Sequence, residues 1–124
     1  MSKKFKIKQN PTFKADVEIP LVGGKSITTN MEFKYFTRKE LARIYDGWSK
    51  QAEELKFEDV SLEELTQQEI DLQVRQIKDI VSGWDIEDEF NDENIEAFVD
   101  MTVHAAKAVV DTFQEAYQEA RKGN

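Results

Sequence analysis

Cysteine is absent from this 124-residue chain, histidine occurs once, at His104, and proline only at Pro11 and Pro20. Without cysteine there is no disulfide framework, no thiolate nucleophile and no thiolate zinc site. A single histidine excludes a multi-histidine metal centre. No apolar run approaches the roughly 20 residues needed to cross a bilayer, and Met1-Ser2-Lys3-Lys4 leads into alternating charge where a secretory signal would turn apolar. No repeat, low-complexity tract or Pro/Ser-rich linker divides the chain. These absences lead to the expectation of a soluble, cytosolic protein of one domain, residues 1–124. Its 40% hydrophobic content suffices for a core.

Charge is unevenly placed. The net charge is −8, yet residues 1–44 hold ten Lys/Arg against four Asp/Glu, and residues 45–124 hold seven against twenty-one. One reading of this polarity is that the basic segment meets an acidic partner or nucleic acid while the acidic segment meets a basic partner or screens one. Solvated acidic helices with basic strands folded back on them is the other.

The first third alternates with the period of a half-buried strand. Phe13, Ala15, Val17 and Ile19 share one face, and Ile27, Thr29, Met31, Phe33 and Tyr35 share another. Pro20 ends the first run, and Gly23-Gly24 supplies the positive φ angles of a reversal. The spacing predicts a hairpin from about Thr12 to Tyr35, with Phe5 and Ile7 offering a third short strand. A hairpin alone is marginal in water, so its apolar face needs helices to cover it.

From residue 37 the period becomes helical. Thr37 and Glu40 form a capping box, followed by the stripe Leu41, Ile44, Tyr45, Trp48, Ala52 and Leu55. Gly47 interrupts it at a cost of ~1 kcal/mol relative to alanine, for which close packing under Trp48 is a reason. Ser61 and Glu64 repeat the capping pattern, and a second helix runs on Ile70, Val74, Ile77, Val81 and Trp84. Asp85 to Glu89 reads as an acidic loop. Asn91 caps a short helix through Phe98 to about Asp100, and Thr102 restarts or continues a helix on Val103, Ala106, Val110, Phe113, Tyr117 and Ala120. The expected fold is therefore α+β, with an N-terminal antiparallel hairpin (residues 1–36) packed on a C-terminal bundle of about four helices (residues 37–124).

Few residues suggest chemistry. The carboxylates of Asp85, Glu87, Asp88, Glu89, Asp92 and Glu93 invite a calcium reading, but an EF-hand loop counted from Asp85 needs glycine where Phe90 stands. A solvated loop is the better account. His104 has no serine or cysteine nucleophile in any recognisable motif. Gly23-Gly24-Lys25-Ser26 lacks the first glycine of a phosphate-binding loop and joins two strands, which makes it a turn. Aromatic residues among the N-terminal lysines suggest a nucleic-acid face, yet they occupy the apolar phase of the strands, where core is the better destination.

Three stretches together resemble the tail assembly chaperones of long-tailed bacteriophages. The first is Lys6-Ile7-Lys8-Gln9-Asn10-Pro11-Thr12-Phe13 with Val17-Glu18-Ile19-Pro20 and Gly23-Gly24-Lys25. The second is Phe33-Lys34-Tyr35-Phe36-Thr37, and the third joins Gly83-Trp84-Asp85, Phe90 and Glu93-Asn94 to the closing Arg121-Lys122-Gly123-Asn124. Where such proteins often carry a proline between the last two helices, this chain has Met101-Thr102.

The resemblance implies a non-catalytic assembly factor without a cofactor, made in the host cytoplasm and absent from the finished virion. Such a factor keeps the tape measure protein soluble and helps recruit tail tube subunits. Many relatives also have a frameshifted longer form, and the ending Gly123-Asn124 is consistent with the short one. The competing reading is a structural subunit of the tail or head–tail connector. Alanines at 105, 106, 108 and 116 widen the last helix's stripe, so Phe98, Val109, Phe113 and Tyr117 are the expected partner contacts, with the acidic loop through Asp85, Glu87 and Glu89 as a second region. Use of that stripe in the protein's own core is the alternative. A weak symmetric homodimer is also expected.

Overall fold

The computed structural model describes Lys4, Ile7 and residues 11–121, the last three of these in backbone only. Strands β1 (Thr12–Pro20) and β2 (Ser26–Lys34) pair antiparallel from Thr12↔Lys34 to Pro20↔Ser26 without a slip. Gly23 and Gly24 turn the chain at φ +89° and +78°. The Leu21 N–H closes the reversal on the Lys25 carbonyl at 2.7 Å.

Four helices follow, α1 (Arg38–Glu53), α2 (Leu62–Ile80), α3 (Asp92–Met101) and α4 (Ala105–Arg121), with strand β3 (Val81–Trp84) between α2 and α3. The α1 start has both halves of its capping box: the Glu40 N–H donates to Thr37 Oγ1 at 3.2 Å and the Thr37 N–H to Glu40 Oε1 at 2.8 Å. Ser61 caps α2 through the Glu64 N–H at 3.1 Å, and Asn91 caps α3 through the Asn94 N–H at 2.9 Å. The break between the last two helices falls at Thr102–His104, where Thr102 Oγ1 accepts from the His104 N–H at 3.1 Å.

The sequence offered Phe5 and Ile7 for a third short strand. Phe5 lies outside the described residues and Ile7 is exposed. Among the described residues the third strand is β3, which the periodicity assigns to the end of the second helix. Helix α2 stops at Ile80, because Val81 adopts extended angles (φ −107°, ψ 134°) and pairs with Phe33 across the open edge of β2. The sheet order is β1-β2-β3, with a bulge that leaves Ser82 unpaired between Val81 and Gly83. Ser82 Oγ fills the gap, donating to Glu32 at 2.9 Å.

One face of the sheet is covered by helices. Val17, Ile19, Met31 and Phe33 on the strands meet Ile77 and Ile80 of α2, Ile95 of α3 and Val109 and Phe113 of α4, all nearly inaccessible. Each such side chain contributes ~1.5–3 kcal/mol on burial. Phe33 sits at the centre, its ring 5.5 Å from Phe13 and 5.9 Å from Phe113. Four residues of the expected apolar faces are exposed instead, Tyr35 at the end of β2 and Ala52 on α1 among them. Ile27 lies near the hairpin tip, beyond the helices' reach, and Val103 falls in the break before α4. Trp48 is buried between α1 and α2, its indole N–H donating to Asp79 Oδ2 at 2.8 Å. The Gly47 expectation needs adjustment, since the close neighbour is Arg75, whose Nη1 donates to the Gly47 carbonyl at 3.3 Å.

Candidate protein-docking surface

Helix α4 runs beneath β1 in the opposite direction. Phe13, at the start of β1, touches Phe113 and Tyr117 near the end of α4, whereas Pro20 lies by His104 at its beginning. Of the expected contacts on this helix, Val109 and Phe113 are fully buried and Phe98 of α3 is 6% exposed. These three are core residues, not surface contacts: the sheet and α2 take the stripe that the sequence offered to a partner. A partner reaches them only by opening the fold.

Tyr117 is different, being half-buried. Its hydroxyl accepts from the Phe36 N–H at 2.9 Å, and Tyr35 stacks on its ring at 5.8 Å. Burial pushes the Tyr117 hydroxyl pKa above the usual tyrosine value, against the opposing pull of the Phe36 hydrogen bond. Tyr35 is 54% exposed, because it lies just past the end of β2 with no helix over its outer side. Together with Phe13 and Ala116 the two tyrosines line a shallow groove of about 310 Å³. The alternation along β2 predicts Tyr35 as one more inward residue. Its position at the strand's end and its amphipathic side chain were the signals available.

The acidic loop is a folded surface feature. The Asp85 N–H donates to the Asn30 carbonyl at 2.9 Å, and the Asp85 carbonyl accepts from Thr29 Oγ1 at 3.0 Å. Trp84 ties the loop from within, donating from Nε1 to the Asp88 carbonyl at 2.8 Å, and the Glu89 carbonyl accepts from Asn94 Nδ2 at 2.8 Å. The side chains of Asp85, Glu87 and Glu89 all face solvent. Among the described residues no three histidine, aspartate or glutamate side chains converge as metal ligands would.

A second groove, of about 470 Å³, separates the Asp16–Pro20 end of β1 from the flank of α4. It is predominantly acidic: Asp16 and Glu18 border it on one side and Asp111 and Glu115 on the other, while Lys107 is held by Asp111 at 2.6 Å. The two grooves thus lie toward opposite ends of the same β1–α4 seam. Such a surface suits protein contact, being aromatic at one end and anionic at the other.

A family model described as phage tail assembly chaperone matches residues 1–124, the whole chain. The chain belongs to that family. No curated protein and no solved structure matches this chaperone. The family assignment rests on the complete length, so strands, acidic loop and helices all fall within it.

Proposed function

We propose that this chaperone binds the tape measure protein in the host cytoplasm, keeps it soluble, helps bring tail tube subunits to it, and leaves before the virion is complete. It does so by binding alone, without catalysis or a cofactor. The observation that carries the reading is the family match over residues 1–124. The exposed Tyr35–Tyr117 groove supports it, because aromatic side chains half open to water are the usual anchors of protein interfaces. The excess of carboxylates in residues 45–124 supports it further, since charge keeps a complex with an apolar client in solution.

The test is co-expression with the tape measure protein of the same phage or prophage, scored by the soluble fraction of the client. Solubility that depends on the chaperone, and a complex that survives purification, are the expected results. A client equally soluble alone, or insoluble in both cases, refutes the proposal. A weak symmetric dimer through exposed apolar side chains such as Leu62 and Val103 belongs to the same reading. Sedimentation over a wide concentration range checks it, and a strict monomer throughout refutes it.

A further inference from the structure

The direction of the backbone groups on β1 can be derived from two hydrogen bonds. The Tyr35 N–H donates to the Pro11 carbonyl at 3.1 Å, and the Leu21 N–H to the Lys25 carbonyl at 2.7 Å. Both pairs obey the register of the hairpin, so the odd-numbered residues of β1 form its hydrogen-bonded pairs with β2. The even-numbered residues Thr12, Lys14, Asp16 and Glu18 therefore turn their N–H and C=O groups away from β2, toward the outer edge of the sheet. An independent bond on β2 agrees: the Asn30 carbonyl, paired opposite Asp16, points the other way, to Asp85. Pro20 has the same parity as these outward residues, so its missing donor costs the hairpin nothing.

This edge is nine residues long, with no bulge in its register and no proline before Pro20. Among the described residues no acceptor or donor takes up its outward groups. Edges of this kind pair readily with another extended chain. The acidic groove lies along one end of the edge and the aromatic groove by the other. An added antiparallel strand runs from the Pro20 end of β1 to the Thr12 end. It meets carboxylates first and Phe13, Tyr35 and Tyr117 last.

We propose that β1 is a strand-addition site for an extended segment of a protein client, one that carries basic side chains followed by an aromatic residue. The main-chain ladder supplies the affinity, and the two grooves select the sequence. The inference rests on the chaperone reading only in assigning the segment to a client, and its test does not require the tape measure protein.

The experiment is a titration of the full, isotopically labelled chain with a short synthetic peptide of alternating lysine and valine ending in tryptophan. Amide exchange at Lys14, Asp16 and Glu18 is expected to slow by about tenfold or more, while the already paired amides of Ala15 and Val17 change little. A glutamate–valine peptide of the same pattern is expected to leave exchange unchanged. Asp16→Pro removes one outward donor and the Asn30 Nδ2–Asp16 Oδ1 bond but no rung of the β1–β2 ladder, so the melt should fall by no more than one surface hydrogen bond and peptide binding should be lost, whereas Asp16→Ala, which lacks the carboxylate but keeps the donor, should still bind. Replacing Asp16 and Glu18 together by lysine should weaken binding by about tenfold at low salt. Equal response to both peptides, or Asp16→Pro binding as the parent does, overturns the proposal. So does slow exchange at these amides without peptide, which would place another part of this chain, or a second copy, on the edge. A client kept soluble in co-expression while the lysine peptide fails to bind overturns this inference and leaves the proposed function standing. The converse pair of results overturns the function and supports the strand-addition site.

Discussion

Phe33 offers the sharpest test of how the sheet is held to the helices. Its side chain is fully buried, and its ring lies against Phe13 and Phe113, which come from β1 and α4. Phe33→Ala removes a ring's worth of contact from three elements at once, and substitutions of this kind cost ~3–5 kcal/mol. Domains of this size are stable by about 5–15 kcal/mol, so the variant should remain folded but close to its limit. For a chain of this length the same loss corresponds to a fall in Tm of about 12–20 °C. Urea denaturation followed by circular dichroism measures it, with the slope unchanged and only the midpoint displaced. Phe113→Ala should cost a similar amount, and the double variant should lose about 1 kcal/mol less than the two single losses combined, because the ring pair is removed only once. Phe33→Asp adds a desolvated carboxylate to the cavity and should abolish folding. A loss below about 1 kcal/mol for Phe33→Ala, or strict additivity with Phe113→Ala, would refute this account of the core.

Tyr35→Ser and Phe113→Ser should separate surface from interior: the first is expected to weaken client pull-down with a nearly unchanged melt, the second to lose both together. Gly47→Ala should change stability by less than about 0.5 kcal/mol in a urea melt, since the ~1 kcal/mol gained in helix propensity is offset when the Arg75 guanidinium, 2.6 Å from the added carbon, swings out and gives up its bonds to the Gly47 carbonyl and Gln51 Oε1. The Thr37 N–H holds the Glu40 carboxyl below the usual carboxylate pKa, so its contribution is present above the unfolded value and disappears as pH falls through the folded one; Glu40→Gln should flatten that acid limb of the stability curve. Burial raises the Tyr45 and Tyr117 hydroxyls, so both stabilise the fold below the unfolded tyrosine pKa and cease to as pH rises through their folded values. Spectrophotometric titration should show two tyrosines ionising late, and Tyr117→Phe should remove one of them.

Local signals were the most readable part of this chain. The hairpin register, the caps at Thr37, Ser61 and Asn91, and the helix stripes each depend on residues a few positions apart. Strand β3 was hidden by its own bulge. A regular strand puts every second residue on one face, but with Ser82 extruded, Val81 and Trp84 both pair opposite inward residues of β2, Phe33 and Met31. That spacing of three is also the spacing of a helix stripe, so it extended the Ile77 pattern without a visible break. The half-open Tyr35–Tyr117 groove is not legible in the sequence for another reason. An apolar stripe on α4 signals that something covers it, but not whether that cover is another chain or β1 and β2. Phe113 and Tyr117 lie one turn apart on that stripe, and only the folded sheet decides that the first is enclosed and the second half open.

The position of β3 in the chain sets a schedule for synthesis. Both strands of the hairpin are complete at Lys34, but the strand that closes the far side of β2 begins only at Val81. At ribosomal rates of roughly 5–20 residues per second, that side of β2 waits about 2–9 s for its neighbour. A hairpin formed in that interval would present two unsatisfied sheet margins instead of one, with α1 and α2 emerging but the last two helices not yet made. A helper that engaged the young hairpin would have to depart before Val81 arrived. The late strand thereby times the passage from a sheet with two open margins to a sheet with one.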